Sequence, residues 1–175
     1  EPRCRVMFVT TGLGLGGAET ILYLLASHLL KRGADCVVVT FDSGGYYGEK
    51  LEDLGIEVVR LENWDLLKWR FIRSSLKVFS AITLCRAIYK YRPNLVHTWL
   101  YPADIIGGLA AKLVGIPVIW GIYTGVTDKK YYKTLTYMML RLCVWLSTTV
   151  PSHIISCSAF ARRTHSKLGY PAAAI

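Results

Sequence analysis

Hydrophobic positions along the chain fall into two kinds of run. Short, continuous apolar stretches rich in β-branched residues occur at 4–11 (CRVMFVTT), 36–41 (CVVVTF), 56–61 (IEVVRL), 95–100 (LVHTWL), 117–122 (PVIWGI) and 153–158 (HIISCS). Continuous rather than alternating apolar character predicts strands buried on both faces. Between them the apolar spacing turns helical. In the stretch after the first run, Ile21, Leu24, Leu25 and Leu29 recur at three- and four-residue intervals, and Lys31-Arg32-Gly33 closes a helix starting near Ala18. Further helices are predicted over 48–55, over 76–91 up to the stop at Pro93, over 103–115, within 129–146 and through Leu168.

Strand and helix thus alternate along the whole chain. That order predicts an α/β fold: a three-layer, doubly wound, mainly parallel sheet with right-handed crossovers, in one Rossmann-like domain spanning 1–175. No internal repeat, low-complexity segment or linker divides it. In such sheets ligands bind beyond the carboxyl ends of the strands, which directs attention to the loops after the first, fourth and fifth strands.

The first of these loops is TGLGLGGAET, residues 11–20. Gly12, Gly14 and Gly17 spell G-x-G-x-x-G, and a helix N-terminus follows, whose unpaired N–H groups and dipole favour a phosphate. A nicotinamide or flavin oxidoreductase is one reading, with Asp42 at the end of the second strand as the ribose-binding acid. Ile21 opposes it, because that pattern wants a small residue four places after the last glycine. A tight turn that needs glycine for steric reasons alone is another.

Composition and charge narrow the field. More than half of the residues are apolar (53%) and the mean hydropathy is +0.33, which excludes a disordered chain. The longest uncharged stretch, 142–161, is broken by Ser147, Thr148, Thr149, Pro151 and His153, so no transmembrane helix is expected, and no signal-peptide pattern opens the sequence. Five widely spaced cysteines with no C-x-x-C pair suggest reduced, buried thiols in a cytoplasmic protein, and no metal site: His153 and Cys157 are too far apart along a strand to share an ion. A net charge of +9 implies anionic partners, whether phosphorylated small molecules, an anionic membrane surface or nucleic acid.

Three segments, in order, resemble the N-terminal domain of the family-4-like, retaining glycosyltransferases of the GT-B type. The loop and helix TGLGLGGAET…LASHLLKRG carry the Gly-Gly-x-Glu element as Gly16-Gly17-Ala18-Glu19. RPNLVHTWLYPADIIGGLAAKLVGIPVIWGI (92–122) is similar to the family's P-D-(I/V)-V-H-T-H…G-(V/I)-P-V-I stretch, and HIISCSAFARRTHSKLGYP (153–171) to the segment closing that domain. The resemblance implies a two-domain enzyme whose second, C-terminal Rossmann-like domain, absent from this chain, holds most of the nucleotide-sugar donor. This half would supply the acceptor side and be inactive alone. It implies donor-diphosphate contacts at Gly16 and Gly17, with Gly14 as a weaker candidate, and a sugar- or acceptor-contacting His97. Glu19, Tyr101, Asp104, Tyr123 and Thr124 are candidate cleft residues, although Asp104 also suits a helix cap. Two positions depart from the family: Trp99 stands at the second histidine of H-T-H, and Tyr123 where the loop after the fifth strand often has histidine. A phenol titrating near 10 orients hydroxyls but accepts protons poorly. No cofactor or metal is implied; the nucleotide-sugar is a co-substrate, and the acceptor is a saccharide or lipid-linked molecule of surface polysaccharide or lipopolysaccharide synthesis.

The stretch LLKWRFIRSSLK (66–77) gathers Lys68, Arg70, Arg73 and Lys77 beside Trp69, Ile72 and Leu76. That pattern suits an interfacial segment on the inner face of a membrane, where four basic residues contribute about 4 kcal/mol before chain ordering opposes it. A solvated basic helix face is the alternative. A basic nucleic-acid-binding module is the remaining reading, and no RNA-binding signature or aromatic platform supports it.

Overall fold

The computed structural model describes residues 4–61 and 73–171, with the side chains of 73–80 excepted. Six strands form one parallel sheet: β1 (Arg5–Thr10), β2 (Asp35–Thr40), β3 (Glu57–Arg60), β4 (Leu95–Trp99), β5 (Val118–Ile122) and β6 (His153–Ser156), in the order β3-β2-β1-β4-β5-β6. The helices are α1 (Gly17–Lys31), α2 (Tyr46–Asp53), α3 (Arg73–Tyr91), α4 (Tyr101–Val114), α5 (Thr134–Leu146) and α6 (Ala159–Leu168). The fold is the doubly wound α/β domain that the run pattern predicts. Strand order reverses between β1 and β4, so the chain leaves those two strands in opposite directions and opens a crevice at their carboxyl ends.

Two apolar clusters cover the two sheet faces. Val6, Phe8 and Val38 point to the side of α1 and α2, where Leu22, Ala26 and Leu51 meet them. Met7, Val9, Val37 and Val39 point to the other side, against Leu84 and Ile88 of α3, Ala110 of α4 and Leu140 of α5. This two-sided burial explains why the strands read as unbroken apolar runs. Helix α4 rests closely on the sheet because Gly107 and Gly108 have no side chains. A Cβ at Gly107 would lie 2.8 Å from Thr98 Cγ2, and one at Gly108 would lie 2.6 Å from Trp120 Nε1.

The structure shifts several boundaries. Helix α1 starts at Gly17 and ends as predicted, with Gly33 N–H on the Leu30 carbonyl and Ala34 N–H on that of Leu29. Its inward face is rotated by one residue: Leu22 and Ala26 are buried, whereas Ile21 and Leu24 are 43% and 58% exposed. Ile21 therefore does not occupy the helix–sheet contact, and it bears no weight against a dinucleotide. Helix α3 begins at Arg73, three residues before the predicted start; the basic residues Lys68 and Arg70 and Trp69 lie outside the described residues, while Arg73 and Lys77 are on α3. Only Cys143 of the five free cysteines is buried, and Cys4 and Cys157, at strand ends, are exposed, which corrects the expectation of buried thiols throughout. Among the described residues no helix is long and apolar enough to cross a membrane.

Candidate functional site

The loop between β1 and α1 is anchored at one point and open elsewhere. Leu13 is fully buried in the cluster under α1 and α2, while Leu15 at the tip is 80% exposed. The β2–α2 loop supports it from the side. Gly45, at φ +135°, comes so close that a Cβ there would sit 2.8 Å from the Leu13 carbonyl oxygen and 3.0 Å from Gly14 N. Tyr47 N–H donates to that Leu13 carbonyl at 2.9 Å, and the Tyr47 hydroxyl meets Thr20 Oγ1 at 2.8 Å. Sequence reasoning missed Leu13, Gly45 and Tyr47; the Gly44-Gly45 pair after β2 was the available signal.

Gly16 is the N-cap residue of α1, in extended conformation and with no side-chain cap. A Cβ at Gly14 or Gly17 would meet nothing among the described residues, whose packing therefore does not demand glycine at either position. A Cβ at Gly16 would collide with the Glu19 carboxylate, which folds back over the first turn, at the positive end of the helix. The N-terminus of this 15-residue helix is therefore exposed at Gly17, and the loop before it at Gly14, with one acid already at its edge. Asp42 is committed differently: its Oδ1 accepts from Thr40 Oγ1 at 2.7 Å and from Gly44 N–H at 2.9 Å, closing the β2–α2 turn.

Beneath the loop, the ends of β4 and β5 carry an aromatic group. His97 is 4% exposed, lies 5.7 Å from the Phe8 ring and 5.1 Å from that of Trp99, and its Nε2 has no hydrogen-bond partner among the described residues. Burial pushes its pKa down to about 4, so the imidazole is neutral at pH 7. Trp99 sits above it toward the crevice, stacked on Tyr123. Burial, with the nearby Asp104 and Cys157 adding to it, pushes the Tyr123 phenol above its ordinary value, leaving it a hydrogen-bond donor. Thr124 Oγ1 accepts from Val126 N–H at 3.1 Å and so shapes the loop after β5.

The β4–α4 junction carries the backbone outlier. Leu100, the N-cap of α4, has φ +74° and ψ 150°, a region almost reserved for glycine that costs a side-chain-bearing residue about 1–3 kcal/mol. Asp104 does not cap this helix. It lies in the first turn, 1% exposed, and accepts from Thr98 Oγ1 at 2.6 Å. Burial raises its pKa well above the ordinary carboxylate value against the opposing pull of the Thr98 bond. Tyr101 is also turned inward, its hydroxyl 3.0 Å from His165 Nε2. The structure thus brings Gly14, Gly16, Gly17, Glu19, Trp99, Tyr123 and Thr124 to the carboxyl edge of the sheet and places His97, Tyr101 and Asp104 beneath it. Among the described residues no group of three or more His, Cys, Asp or Glu is placed to hold a metal ion.

The same architecture occurs in solved structures. HepE of Anabaena, crystallised with UDP and glucose, superposes with a TM-score of 0.78 at 18% identity, over 98% of this chain and 43% of HepE. MurG of Acinetobacter baumannii gives 0.60 at 16% identity, over 89% and 41%. A glycosyltransferase of Rickettsia africae gives 0.69 at 15% identity, over 100% and 42%. The chain spans less than half the length of each, and at these identities the likeness establishes the fold alone. No curated protein matches the sequence. The family model of Glycosyltransferase Family 4 matches residues 15–175, from the tip of the glycine loop onward, and by that match the chain belongs to Glycosyltransferase Family 4, as an N-terminal, Rossmann-like half of the GT-B architecture.

Proposed function

We propose that the complete protein moves a sugar from a nucleotide-diphosphate sugar to a saccharide or lipid-linked acceptor with retention of anomeric configuration, and that this domain forms the acceptor side of its cleft. The observation that carries the reading is the first turn of α1: Gly14 and Gly17 face open space, at the N-terminus of a helix, at the switch point of the sheet. HepE, whose structures hold UDP, glucose and UDP-glucose, supports the donor class.

In the transfer the bond from the anomeric carbon to the diphosphate oxygen breaks and one from that carbon to an acceptor hydroxyl oxygen forms; the leaving diphosphate gains negative charge and takes up the proton that the hydroxyl gives up. The N–H groups of Gly16 and Gly17 stabilise that charge without reorganising, which is where preorganised donors lower a barrier most. The domain supplies no protein nucleophile in this reading; positioning of donor and acceptor and stabilisation of the leaving group carry the rate. Tyr123 and Thr124 orient acceptor or donor hydroxyls from the loop after β5, and neutral His97 packs beneath the ring of Trp99 and positions it. No metal is needed for the leaving group. The C-terminal partner domain binds the nucleoside. Assembly of surface polysaccharide or lipopolysaccharide on the cytoplasmic side of a membrane fits such an acceptor.

The test is transfer or hydrolysis by the full chain over a panel of UDP-, GDP- and ADP-sugars, in chelator, with the product anomer read by NMR. Turnover of one donor with retention is expected. No turnover with any of them, or an inverted product, would overturn the reading.

A further inference from the structure

Charge is segregated between the two helical layers. Seven of the 12 acids fall between Glu19 and Glu57; the last of them, Glu57, accepts from the Tyr91 hydroxyl and lies 4.0 Å from Lys90 Nζ, at the carboxyl end of α3. From Arg73 to Leu146 the chain has ten lysines and arginines and only two acids. One of these, Asp104, is buried; the other, Asp128, pairs with Lys130 at 3.4 Å. Helices α3, α4 and α5, packed side by side over the other sheet face, therefore present cations with no exposed acid on any of the three.

The same layer carries exposed apolar side chains. On α5, Leu135, Met138, Leu142 and Trp145 are 43%, 61%, 42% and 73% exposed. On α4, Leu113 is 82% exposed, and on α3 Tyr89 is 73% exposed. Between α4 and α5 lies an apolar groove of about 390 Å³, floored by Ile105 and Ile106 on one wall and Met138, Met139 and Leu142 on the other. Two cations stand at its margin: Arg141 lies within one helical turn of both Met138 and Trp145, and Lys133 immediately precedes α5. Arg86 flanks Leu113 in a second apolar groove, between α3 and α4.

We propose that the face formed by α3, α4 and α5 docks reversibly on an anionic lipid surface, with Met138, Leu142 and Trp145 entering the interface and Arg86, Lys133 and Arg141 lying over the headgroups. Charge selects this occupant. A second copy docking through the same face would oppose cation to cation, since α3, α4 and α5 carry no exposed acid. An anionic bilayer answers both features at once: the apolar side chains leave water, and a tryptophan and a tyrosine sit at headgroup depth, where their amphipathic rings are favoured. The contact residues lie on α5, just before it, and at Arg86 of α3, beyond the basic stretch 66–77 that the sequence singles out, and the contact stands independently of sugar transfer.

Co-sedimentation of the full chain with vesicles tests it. Binding is expected to vesicles of phosphatidylcholine mixed with phosphatidylglycerol, to weaken with salt, and to be absent on phosphatidylcholine alone. The pair Lys133→Gln/Arg141→Gln is expected to weaken partition about 25-fold, from about fivefold per basic residue. Leu142→Gln/Trp145→Ser is expected to weaken it roughly tenfold or more. These are surface positions, and circular dichroism checks that the variants fold. Equal binding to neutral vesicles, or unchanged binding by either pair, would overturn the proposal. So would a dimer that Leu142→Gln/Trp145→Ser dissolves in the absence of lipid. A Trp145 shielded from acrylamide quenching without vesicles, read as wild type minus Trp145→Phe, would show the rest of the chain covering the face and overturn it likewise. Sugar-nucleotide hydrolysis, measured without lipid, separates a failure here from a failure of the proposed enzymatic role.

Discussion

Trp99 and Tyr123 lie face to face, with ring centroids 3.8 Å apart and planes 4° from parallel. Gly121 makes the pairing possible: it stands opposite Trp99 in the β4–β5 register, and a side chain there would occupy the space of the Tyr123 ring. The two positions at which the sequence departs from histidine are thus one packed unit. Tyr123→Ala uncovers Trp99 and is expected to cost about 3 kcal/mol in denaturant unfolding. Tyr123→Phe keeps the stack and is expected to cost less than about 0.5 kcal/mol. A double-mutant cycle with Trp99→Leu should return a coupling of about 1 kcal/mol; additivity would show that the rings are neighbours without mutual stabilisation.

His97 makes the domain acid-sensitive. Its folded pKa of about 4 lies below the ordinary value of 6.5, because burial disfavours the imidazolium. A depressed histidine contributes stability that is fully present above 6.5 and is lost as pH falls toward 4. The loss amounts to about 3 kcal/mol. His97→Leu, which sacrifices no bond to Nε2 among the described residues, removes that slope. His165 is depressed by burial too and stays in both proteins, so the difference between wild type and variant isolates His97. Parallel stability curves from pH 7 to pH 4 would contradict the assignment.

Asp104 works in the opposite sense. Its folded pKa is raised, so the fold favours the protonated acid, and stability falls as pH climbs from the ordinary carboxylate value through the folded one. Asp104→Asn keeps an oxygen to accept from Thr98 Oγ1 without burying a charge. The variant should be more stable than wild type at pH 8, and its advantage should shrink toward pH 4. Urea unfolding at the two pH values decides; an advantage independent of pH would mean that Asp104 is not held as a strained carboxylate.

The strands were legible because a strand buried on both faces has no alternation to misread, and all six apolar runs became strands. The β1–α1 loop was legible because glycines ahead of a helix narrow the physical options. The inward face of α1 was not, since apolar Ile21 and Leu24 flank the true contacts Leu22 and Ala26, and periodicity cannot choose among adjacent apolar residues. Asp104 resembled a cap because a lone acid near a helix start commonly is one; its burial depends on Thr98, a strand residue whose orientation comes only from the sheet. The stack of Trp99 on Tyr123 and the support of Leu13 by Gly45 join residues far apart in sequence. Single-residue chemistry predicts neither.

Gly17 and Gly45 separate ligand contact from loop support. A Cβ at Gly17 meets nothing among the described residues, and the residue is the first of a helix, where alanine is no worse than glycine. Gly17→Ala should leave the melting temperature unchanged or slightly raised, yet place a methyl group where a diphosphate would approach the backbone. UDP affinity of the full chain, measured by titration calorimetry, should fall about tenfold or more, the scale of one lost charge-assisted contact. Gly45→Ala meets two penalties, φ of +135° and backbone atoms at 2.8 and 3.0 Å, and should cost about 1–3 kcal/mol of stability. Because that clash is with Leu13 and Gly14, the loop shifts and UDP affinity falls with it. The diagnostic outcome is the contrast: affinity lost with stability kept at Gly17, both lost at Gly45. Full UDP affinity in Gly17→Ala would remove the first turn of α1 from the donor site and leave the glycine loop a structural turn.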